Sequence, residues 1–178
     1  MLSAEDQNFY HHRGIDLVAM TRAAVTNVFN YASGKRLVGG SGITQQVAKN
    51  FSLSGEVSYE RKIKEAILAY RIEGALPKDR ILELYLNEIY LGAGAYGVSA
   101  AAMKYFGKTL DDLTVSEAAY LASLPKAPSN YHPVRNHDVA RARRNWVVGR
   151  MLEDGHIDKE TADSARNEPV LAPNLATA

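Results

Sequence analysis

Two carboxylate positions frame the part of this chain that is richest in polar, ligand-binding residue types. The first is Glu5, followed directly by Asp6, and the second is Glu65. Between them lies the segment Gly39–Asn50, which combines glycines with Ser, Thr, Gln and Lys. Paired carboxylates are the usual acids and bases of sugar chemistry. This order of residues predicts transfer of a sugar beside a negatively charged leaving group.

The segment Gly39–Asn50 has the composition of an anion-binding site. Its glycines allow a ligand to approach the backbone closely, and the helix that follows would direct its first N–H groups at an anion. Three neutral donors and one fixed positive charge follow the glycines: Thr44, Gln45, Gln46 and Lys49. The segment is not a P-loop, because no Gly-Lys-Ser/Thr stands at the required spacing. A helix-turn-helix is a rival interpretation, but the formal net charge of +1 argues against a nucleic-acid partner.

Each charged residue also has a plain structural interpretation. Glu5 and Asp6 would cap or flank a helix. Glu65 would form an ion pair with Arg61, four residues earlier, worth about 0.3 kcal/mol. The functional interpretation instead holds Glu65 at a cleft, where Arg61 and Lys62 supply positive charge. Singly, each residue fits the structural interpretation, and the polar segment between them favours the functional one.

The elements that must position these residues are predicted to be helical. Apolar residues recur at helical spacing, and Gly and Pro mark the breaks. We expect helices over residues 15–31, 58–76, 77–89, 96–105, 114–124, 137–153 and 158–167. No stretch alternates as a strand does, so the fold class is all-α and the 178 residues suit one domain. There is no cysteine, which excludes disulfides and thiolate chemistry, and no apolar run reaches the ~20 residues of a membrane span.

Five ordered blocks resemble the glycosyltransferase domain (family 51) of class A penicillin-binding proteins and monofunctional peptidoglycan transglycosylases. The resemblance covers residues 2 to about 165. The blocks are Glu5-Asp6-x-x-Phe9-x-x-His12-x-Gly14-x-Asp16; Gly40-Ser41-x-Ile43-Thr44-Gln45-Gln46-x-x-Lys49-Asn50; Arg61-Lys62-x-x-Glu65; Ile81-Leu82-Glu83-x-Tyr85-Leu86-Asn87 through Gly92, Tyr96-Gly97 and Ala101; and Glu117-Ala118-Ala119-x-Leu121-Ala122 through Pro125 and Pro128. One departure is Gly42, where the family usually has Thr; it removes a hydroxyl and loosens the loop.

The resemblance implies a lysozyme-like, mostly helical globular domain with a flexible membrane-facing jaw subdomain. It implies polymerisation of lipid II into glycan strands, with Glu5 as the base that activates the acceptor 4-hydroxyl and Glu65 as the second essential carboxylate. Further residues would bind substrate or support the base: Asp6, Ser41, Thr44, Gln45, Gln46, Lys49, Asn50, Arg61 and Lys62. No cofactor is required by the sequence, although a divalent cation (Mg or Mn) at the diphosphate is compatible with the family. The metal ligands are unknown.

A second group of residues is expected to contact the membrane. These are Phe29, Tyr31, Lys35, Arg36 and Leu37, whose aromatic, apolar and cationic side chains suit a bilayer interface. The expected location is the extracytoplasmic, periplasmic face of the bacterial cytoplasmic membrane, with the anchor not present in this chain. Expected partners are lipid II, the growing glycan chain, the membrane surface and cell-wall synthesis proteins. We expect the glycosyltransferase domain over 1–168, with an N-terminus that looks truncated, and a tail over 169–178 toward an absent transpeptidase domain.

Two other classes of function are compatible with parts of the pattern. A lysozyme-like muramidase or lytic transglycosylase would also use a catalytic Glu, but it needs no cationic site for a diphosphate, so Lys49 and Arg61 argue against it. A non-catalytic lipid II-binding module is the other alternative, and retention of both carboxylates and both cations argues against it. Ser123-x-x-Lys126 matches a transpeptidase motif only superficially, because Pro125 lies inside it and no Ser-Asp-Asn or Lys-Thr-Gly follows.

Overall fold

The computed structural model describes residues 1–34, 39–51 and 59–176. Over these ranges the chain is built from helices and carries no strand beyond one isolated bridge, Tyr90 with Tyr96. The helices are α1 Leu2–Glu5, α2 Leu17–Ala32, α3 Ile43–Phe51, α4 Tyr59–Ala75, α5 Lys78–Glu88, α6 Val98–Phe106, α7 Val115–Ser123, α8 His137–Glu153, α9 Lys159–Asn167 and α10 Pro173–Ala176, with a 3₁₀ turn at Leu110–Asp112. The all-α prediction is confirmed.

Helix ends follow the local signals in the sequence. Thr114 caps α7 through a complete capping box, in which its hydroxyl accepts from the Glu117 N–H and the Glu117 carboxylate accepts from the Thr114 N–H. Asp16 caps α2 by accepting from the Ala19 N–H at 2.9 Å. Gly107 ends α6 in the left-handed conformation that glycine adopts without strain. A short local signal therefore marks each of these three helix ends.

The chain divides into two compact units. The first combines Met1–Gln7 with Leu86–Ala178, and the second is Asn8–Tyr85. In the second unit, α3 packs along α4. The fully buried apolar side chains of this unit are Phe9, Ile43, Ala48, Ala69, Ile81 and Tyr85. Most of the predicted substrate-binding residues lie on these two helices.

In the first unit, α8 packs against α1, α7 and α9. An aromatic cluster fills part of its core, with ring centroids of Tyr105 and Tyr120 5.8 Å apart and Phe106 6.1 Å from Tyr120. Both hydroxyls are satisfied: Tyr105 donates to the Leu91 carbonyl at 2.7 Å and Tyr120 to the Tyr131 carbonyl at 2.8 Å. Burial, with the nearby Tyr90, raises the pKa of Tyr105 to about 12.

The C-terminal stretch is packed on the first unit over part of its length. Val170 and Ala172 are buried in the core of the first unit, and Asn174 donates to the Met103 carbonyl at 3.1 Å. Residues 170–175 therefore pack on the domain, and the predicted boundary at 168 remains a prediction. Among the helices of the described ranges, each is too short or too polar to cross a bilayer.

Candidate active site

In the second unit, the start of α3 is held by a side chain of its own helix. The Gln45 side-chain oxygen accepts from the Gly42 N–H at 3.1 Å, and the Gln46 N–H bonds to the Gly42 carbonyl. Gly42 thus occupies the N-cap, and Gln45 supplies half of a capping box. With Thr at this position, as the family pattern has it, a hydroxyl would be available for the other half. Gly42 therefore leaves the first N–H groups of α3 without a side-chain cap from the N-cap residue.

The polar residues of the second block differ widely in exposure. Thr44 and Gln45 are buried, whereas Lys49 and Asn50 are exposed at the other end of α3, and Gln46 is half-buried. The exposed side chains can meet a ligand directly. The buried ones are engaged within the protein, Gln45 with the Gly42 N–H. Their predicted contacts with substrate remain predictions.

The third block forms a compact charge cluster on α4. Glu65 is only 2% exposed and pairs with two cations on its own helix. Its Oε2 accepts from Lys62 Nζ at 3.0 Å, and its Oε1 lies 3.2 Å from Arg61 Nε. The contact with Arg61 confirms the i,i+4 ion pair that the spacing predicted. Burial of a carboxylate requires such counter-charges.

Lys62 connects this cluster to the glycine-rich segment. Its Nζ donates to Ser41 Oγ at 2.7 Å while it also donates to Glu65. Two residues that stand 21 positions apart are thereby brought together, and they belong to different blocks. We name Ser41, Arg61, Lys62 and Glu65 the charge cradle. It holds two cations for one carboxylate, and Lys62 is still half exposed, so the cradle is suited to bind an anion.

In the first unit, Glu5 lies at the end of α1, half-buried, and is followed by the buried Asp6. Two cations of the same unit are electrostatically coupled to Glu5. Burial and the neighbouring Arg143 lower the pKa of Lys126, and Glu5 opposes this by raising it. Burial also lowers the pKa of Arg143, and the nearby Tyr131 and Glu5 offset only part of this shift. Glu5 therefore lies in a positively charged environment.

The sequence did not single out Lys126 and Arg143 as cations that interact with Glu5. Lys126 stood out only through its false transpeptidase motif, and Arg143 lies in the arginine-rich helix α8. The structure packs the Arg143 guanidinium 3.9 Å from the ring centroid of Trp146 and 5.9 Å from that of Tyr131. The lone Trp beside a run of arginines was the available signal, because Arg stacks on aromatic faces.

The loop over residues 8–16, which belongs to the first block, has a structural role in the second unit. Gly14 has φ +82°, and a Cβ there would lie 2.9 Å from the Ala69 carbonyl oxygen, so only glycine fits. The Asp16 carboxylate accepts from Asn8 Nδ2 at 3.1 Å in addition to capping α2. Burial alone would raise the pKa of Asp16, but the hydrogen bonds from Ala19 and Asn8 hold that pKa below its ordinary value.

The predicted membrane-contacting residues are described only in part. Phe29 and Tyr31 lie on α2 and are 70% and 84% exposed. Lys35, Arg36 and Leu37 lie outside the described residues. Large exposed aromatic side chains on one helix fit the expected contact surface but do not identify what covers them. Membrane contact therefore remains a prediction.

A comparison with known protein families assigns the chain to one of them. The family described as Transglycosylase matches residues 1–152, which include all five blocks and both units' candidate residues. The chain belongs to the transglycosylase family. The predicted family resemblance is thus confirmed, and it places Glu5, the charge cradle and α3 within one family domain.

Curated relatives and a solved structure agree with this assignment. The chain is 53% identical over 170 residues to penicillin-binding protein 1A of Rickettsia felis, covering 96% of this chain and 22% of that protein. It is 53% identical over 171 residues to penicillin-binding protein 1A of Escherichia coli, covering 96% of this chain and 20% of that protein. The chain thus spans about a fifth of the length of these relatives. The crystal structure of penicillin-binding protein 1A from Haemophilus influenzae is similar with a TM-score of 0.52 and 42% identity, over 73% of this chain and 16% of that one.

Proposed function

We propose that this chain is a peptidoglycan glycosyltransferase domain that polymerises lipid II into glycan strands. Membership in the transglycosylase family supports the reaction class. The charge cradle supports a diphosphate as the leaving group, because two cations held around one buried carboxylate are complementary to its negative charge. The growing chain on undecaprenyl diphosphate is the donor in this proposal, and the next lipid II is the acceptor.

One observation carries the proposal further than family membership does. Lys62 donates both to Ser41 Oγ and to the buried Glu65 carboxylate, so its ammonium is fixed at the entrance of the glycine-rich segment. A fixed ammonium does not have to reorganise when negative charge develops on a departing oxygen. A glycoside hydrolase has no such charge to stabilise. The cradle therefore favours transfer from a diphosphate over hydrolysis of a glycan.

The proposed reaction is an inverting displacement. The Glu5 carboxylate takes the proton from the acceptor 4-hydroxyl, whose oxygen attacks the anomeric carbon of the donor. The new glycosidic bond forms as the bond to the diphosphate oxygen breaks, and the electron pair leaves with the diphosphate. Lys49, Arg61 and Lys62 stabilise that charge. A diphosphate is an activated leaving group, so no protein acid has to protonate it.

The other predicted residues have supporting roles in this proposal. Asp6 supports Glu5, and Glu65 keeps Arg61 and Lys62 in place. Ser41, Gln46 and Asn50 contact the substrate at the two ends of α3, while Thr44 and Gln45 hold the helix. Lys126 and Arg143 interact electrostatically with Glu5 and add positive charge beside it.

A divalent cation would neutralise diphosphate oxygens when bound. The described residues of the charge cradle do not fit a metal site, because the cradle's carboxylate, Glu65, is already paired with Arg61 and Lys62. The proposed reaction steps therefore use only side chains of the protein. The proposed location is the outer face of the cytoplasmic membrane, where a polyprenyl-linked substrate would lie and where Phe29 and Tyr31 would enter the interface.

Labelled lipid II tests the proposal when it is incubated with the chain in detergent or liposomes. We expect glycan strands from the parent chain and none from the Glu5→Gln variant, which keeps the size of the side chain but cannot accept the proton. Glu83→Gln, at an exposed residue paired with Arg80, serves as the matched control and is expected to polymerise normally. Cleavage of preformed glycan without synthesis would instead support the muramidase or lytic alternative, and lipid II binding without turnover would support a binding module.

A further inference from the structure

A second buried carboxylate of the second unit is not used in the proposed reaction. Glu73 lies in the last turns of α4, two helical turns after Glu65, and its side chain is 7% exposed. One of its oxygens, Oε1, accepts from Thr44 Oγ1 at 2.6 Å and from Lys78 Nζ at 2.7 Å. Glu73 is thus a buried, doubly bonded anion at the junction of α3, α4 and the start of α5.

The bond from Thr44 fixes the N-terminal turn of α3. Thr44 is the second residue of that helix and is completely buried, so its hydroxyl is shielded from competing water. A hydrogen bond to an ionised acceptor is stronger than one between two neutral groups. Gln45, the next residue, holds the N–H of Gly42. The two bonds together pin the segment from Ser41 to Gln45, and Ser41 is the residue to which Lys62 donates.

The bond from Lys78 ties the same carboxylate to the first sequence block. Lys78 Nζ lies 4.3 Å from the ring centroid of Phe9, a cation–π contact with a fully buried ring. A Cβ at Gly14 would lie 3.1 Å from Glu73 Cγ, so the loop of the first block also packs directly on Glu73. Lys78 neutralises Glu73, as a buried carboxylate requires, and Phe9 holds Lys78 in place.

We propose that Glu73 is a positioning residue, which sets the place of α3 relative to α4 through the Thr44 hydroxyl. This inference rests on the proposed function, because α3 and α4 carry the cationic residues assigned to the diphosphate. Ser41 lies before the first turn of α3 and Lys49 in its last turn, whereas Arg61 and Lys62 lie on α4. A small shift of one helix along the other would separate the cations that must act on one leaving group. The diphosphate of the donor is already charged before the reaction begins, so such a shift weakens substrate binding more than it slows the chemical step.

The test is a double-mutant cycle on the affinity of the chain for lipid II and for inorganic diphosphate. Thr44→Val removes the hydroxyl and keeps the shape, while Thr44→Ser keeps the hydroxyl. Glu73→Met combined with Lys78→Met removes the carboxylate without leaving an uncompensated cation. We expect Thr44→Val to raise KM for lipid II and Kd for diphosphate by roughly tenfold or more, with a smaller change in kcat, and Thr44→Ser to restore both.

Non-additive effects of the substitutions would show that Glu73 acts on substrate binding through the Thr44 hydroxyl. In the Glu73→Met/Lys78→Met background, Thr44→Val should change KM and Kd no further, because the bond it removes is already lost. Hydrogen exchange at the α3 amides should accelerate in Thr44→Val and in the double variant, and not in the control Glu83→Gln. A lower Tm with unchanged KM, unchanged Kd and additive effects would overturn the proposal and leave Glu73 a purely structural residue.

The readouts separate this inference from the proposed function. If the parent fails to polymerise lipid II but binds diphosphate, and Thr44→Val weakens that binding while α3 exchanges faster, the positioning role stands and the proposed reaction does not. If the parent polymerises lipid II and Thr44→Val does so with the parent's KM, the positioning role is overturned and the proposed reaction stands. If the parent neither polymerises lipid II nor binds diphosphate, both are overturned.

Discussion

Replacing Glu65 with Gln tests whether the ion pairs of the charge cradle stabilise the chain. The variant keeps the size of the side chain but leaves Arg61 and Lys62 without their counter-charge at 3.2 and 3.0 Å. Removing one partner of a fully buried pair costs about 3–5 kcal/mol, and removing one of a surface pair costs about 0–1 kcal/mol. Glu65 is buried, Arg61 is mostly buried and Lys62 is half exposed, so we expect a loss of about 2–3 kcal/mol.

Urea and thermal unfolding measure this loss. For a chain of this length, 1 kcal/mol corresponds to about 2–4 °C in Tm, so Glu65→Gln should lower Tm by about 4–12 °C. Glu60→Gln is the matched control, because Glu60 pairs with Lys64 on the same helix but both side chains lie in solvent. We expect no measurable change for that variant. Equal stability of Glu65→Gln and the parent, or equal losses in the two variants, would refute the cradle as a stabilising, preorganised cluster.

Three further predictions concern the scaffold around the candidate residues. Gly97→Ala should lower the free energy of unfolding in urea by well over 3 kcal/mol, because its Cβ would lie 2.4 Å from the Asn87 carbonyl oxygen at φ +80°. Gly94→Ala, at φ +75° with open space around it, should lower it by only about 1–2 kcal/mol. Equal losses in the two variants would contradict the collision at Gly97. The pKa of Asp16 lies below its unfolded value, so its carboxylate stabilises the fold above about pH 4 and loses that contribution as the pH falls through the folded pKa. Asp16→Asn should therefore be less stable than the parent at pH 7 and equally stable near pH 2, and a difference that persisted at pH 2 would refute the charge effect. Arg144→Lys should cost about 2–4 kcal/mol in urea unfolding, since the buried guanidinium donates to Ser116, Asn145 and the Glu168 carbonyl and an ammonium cannot match that fork; an unchanged midpoint would contradict this.

The helices were predictable from the sequence because their signals are local. Apolar spacing and breakers placed α8 over the same residues, His137–Glu153, that the structure shows. Thr114 and Glu117 stand at the spacing that is typical of the capping box that is found. The pairing of Arg61 with Glu65 was also predicted, because residues four apart on a helix are neighbours. Each of these predictions needed only a few consecutive residues.

The contacts that give the site its charge pattern were not predictable, because they join distant parts of the chain. Nothing in the sequence indicates that Lys62 reaches Ser41, or that Lys126 and Arg143 act electrostatically on Glu5. The burial of Val170 was missed for the same reason. The packing of the tail depends on a surface that only the folded unit presents.

The predicted substrate-binding residues of Gly39–Asn50 have similar chemistry but different positions on their helix. The residues of Gly39–Asn50 were expected to act alike as ligand donors, since Thr, Gln and Lys all suit a sugar phosphate. Helical geometry separates them, because α3 turns Thr44 and Gln45 into the protein and leaves Lys49 exposed. Helix periodicity alone could have made that separation, had the face of α3 that packs on α4 been known.

The most direct test of the proposed reaction is a count of its two products in one experiment. Lipid II labelled in both the sugar and the polyprenyl diphosphate is incubated with the chain, and the polymerised disaccharides and the released polyprenyl diphosphate are quantified together. The account predicts one polyprenyl diphosphate released for each disaccharide added, and neither product from Glu5→Gln. Shortening of preformed glycan, or release of the diphosphate without growth of a strand, would contradict the assignment of this chain as a glycosyltransferase.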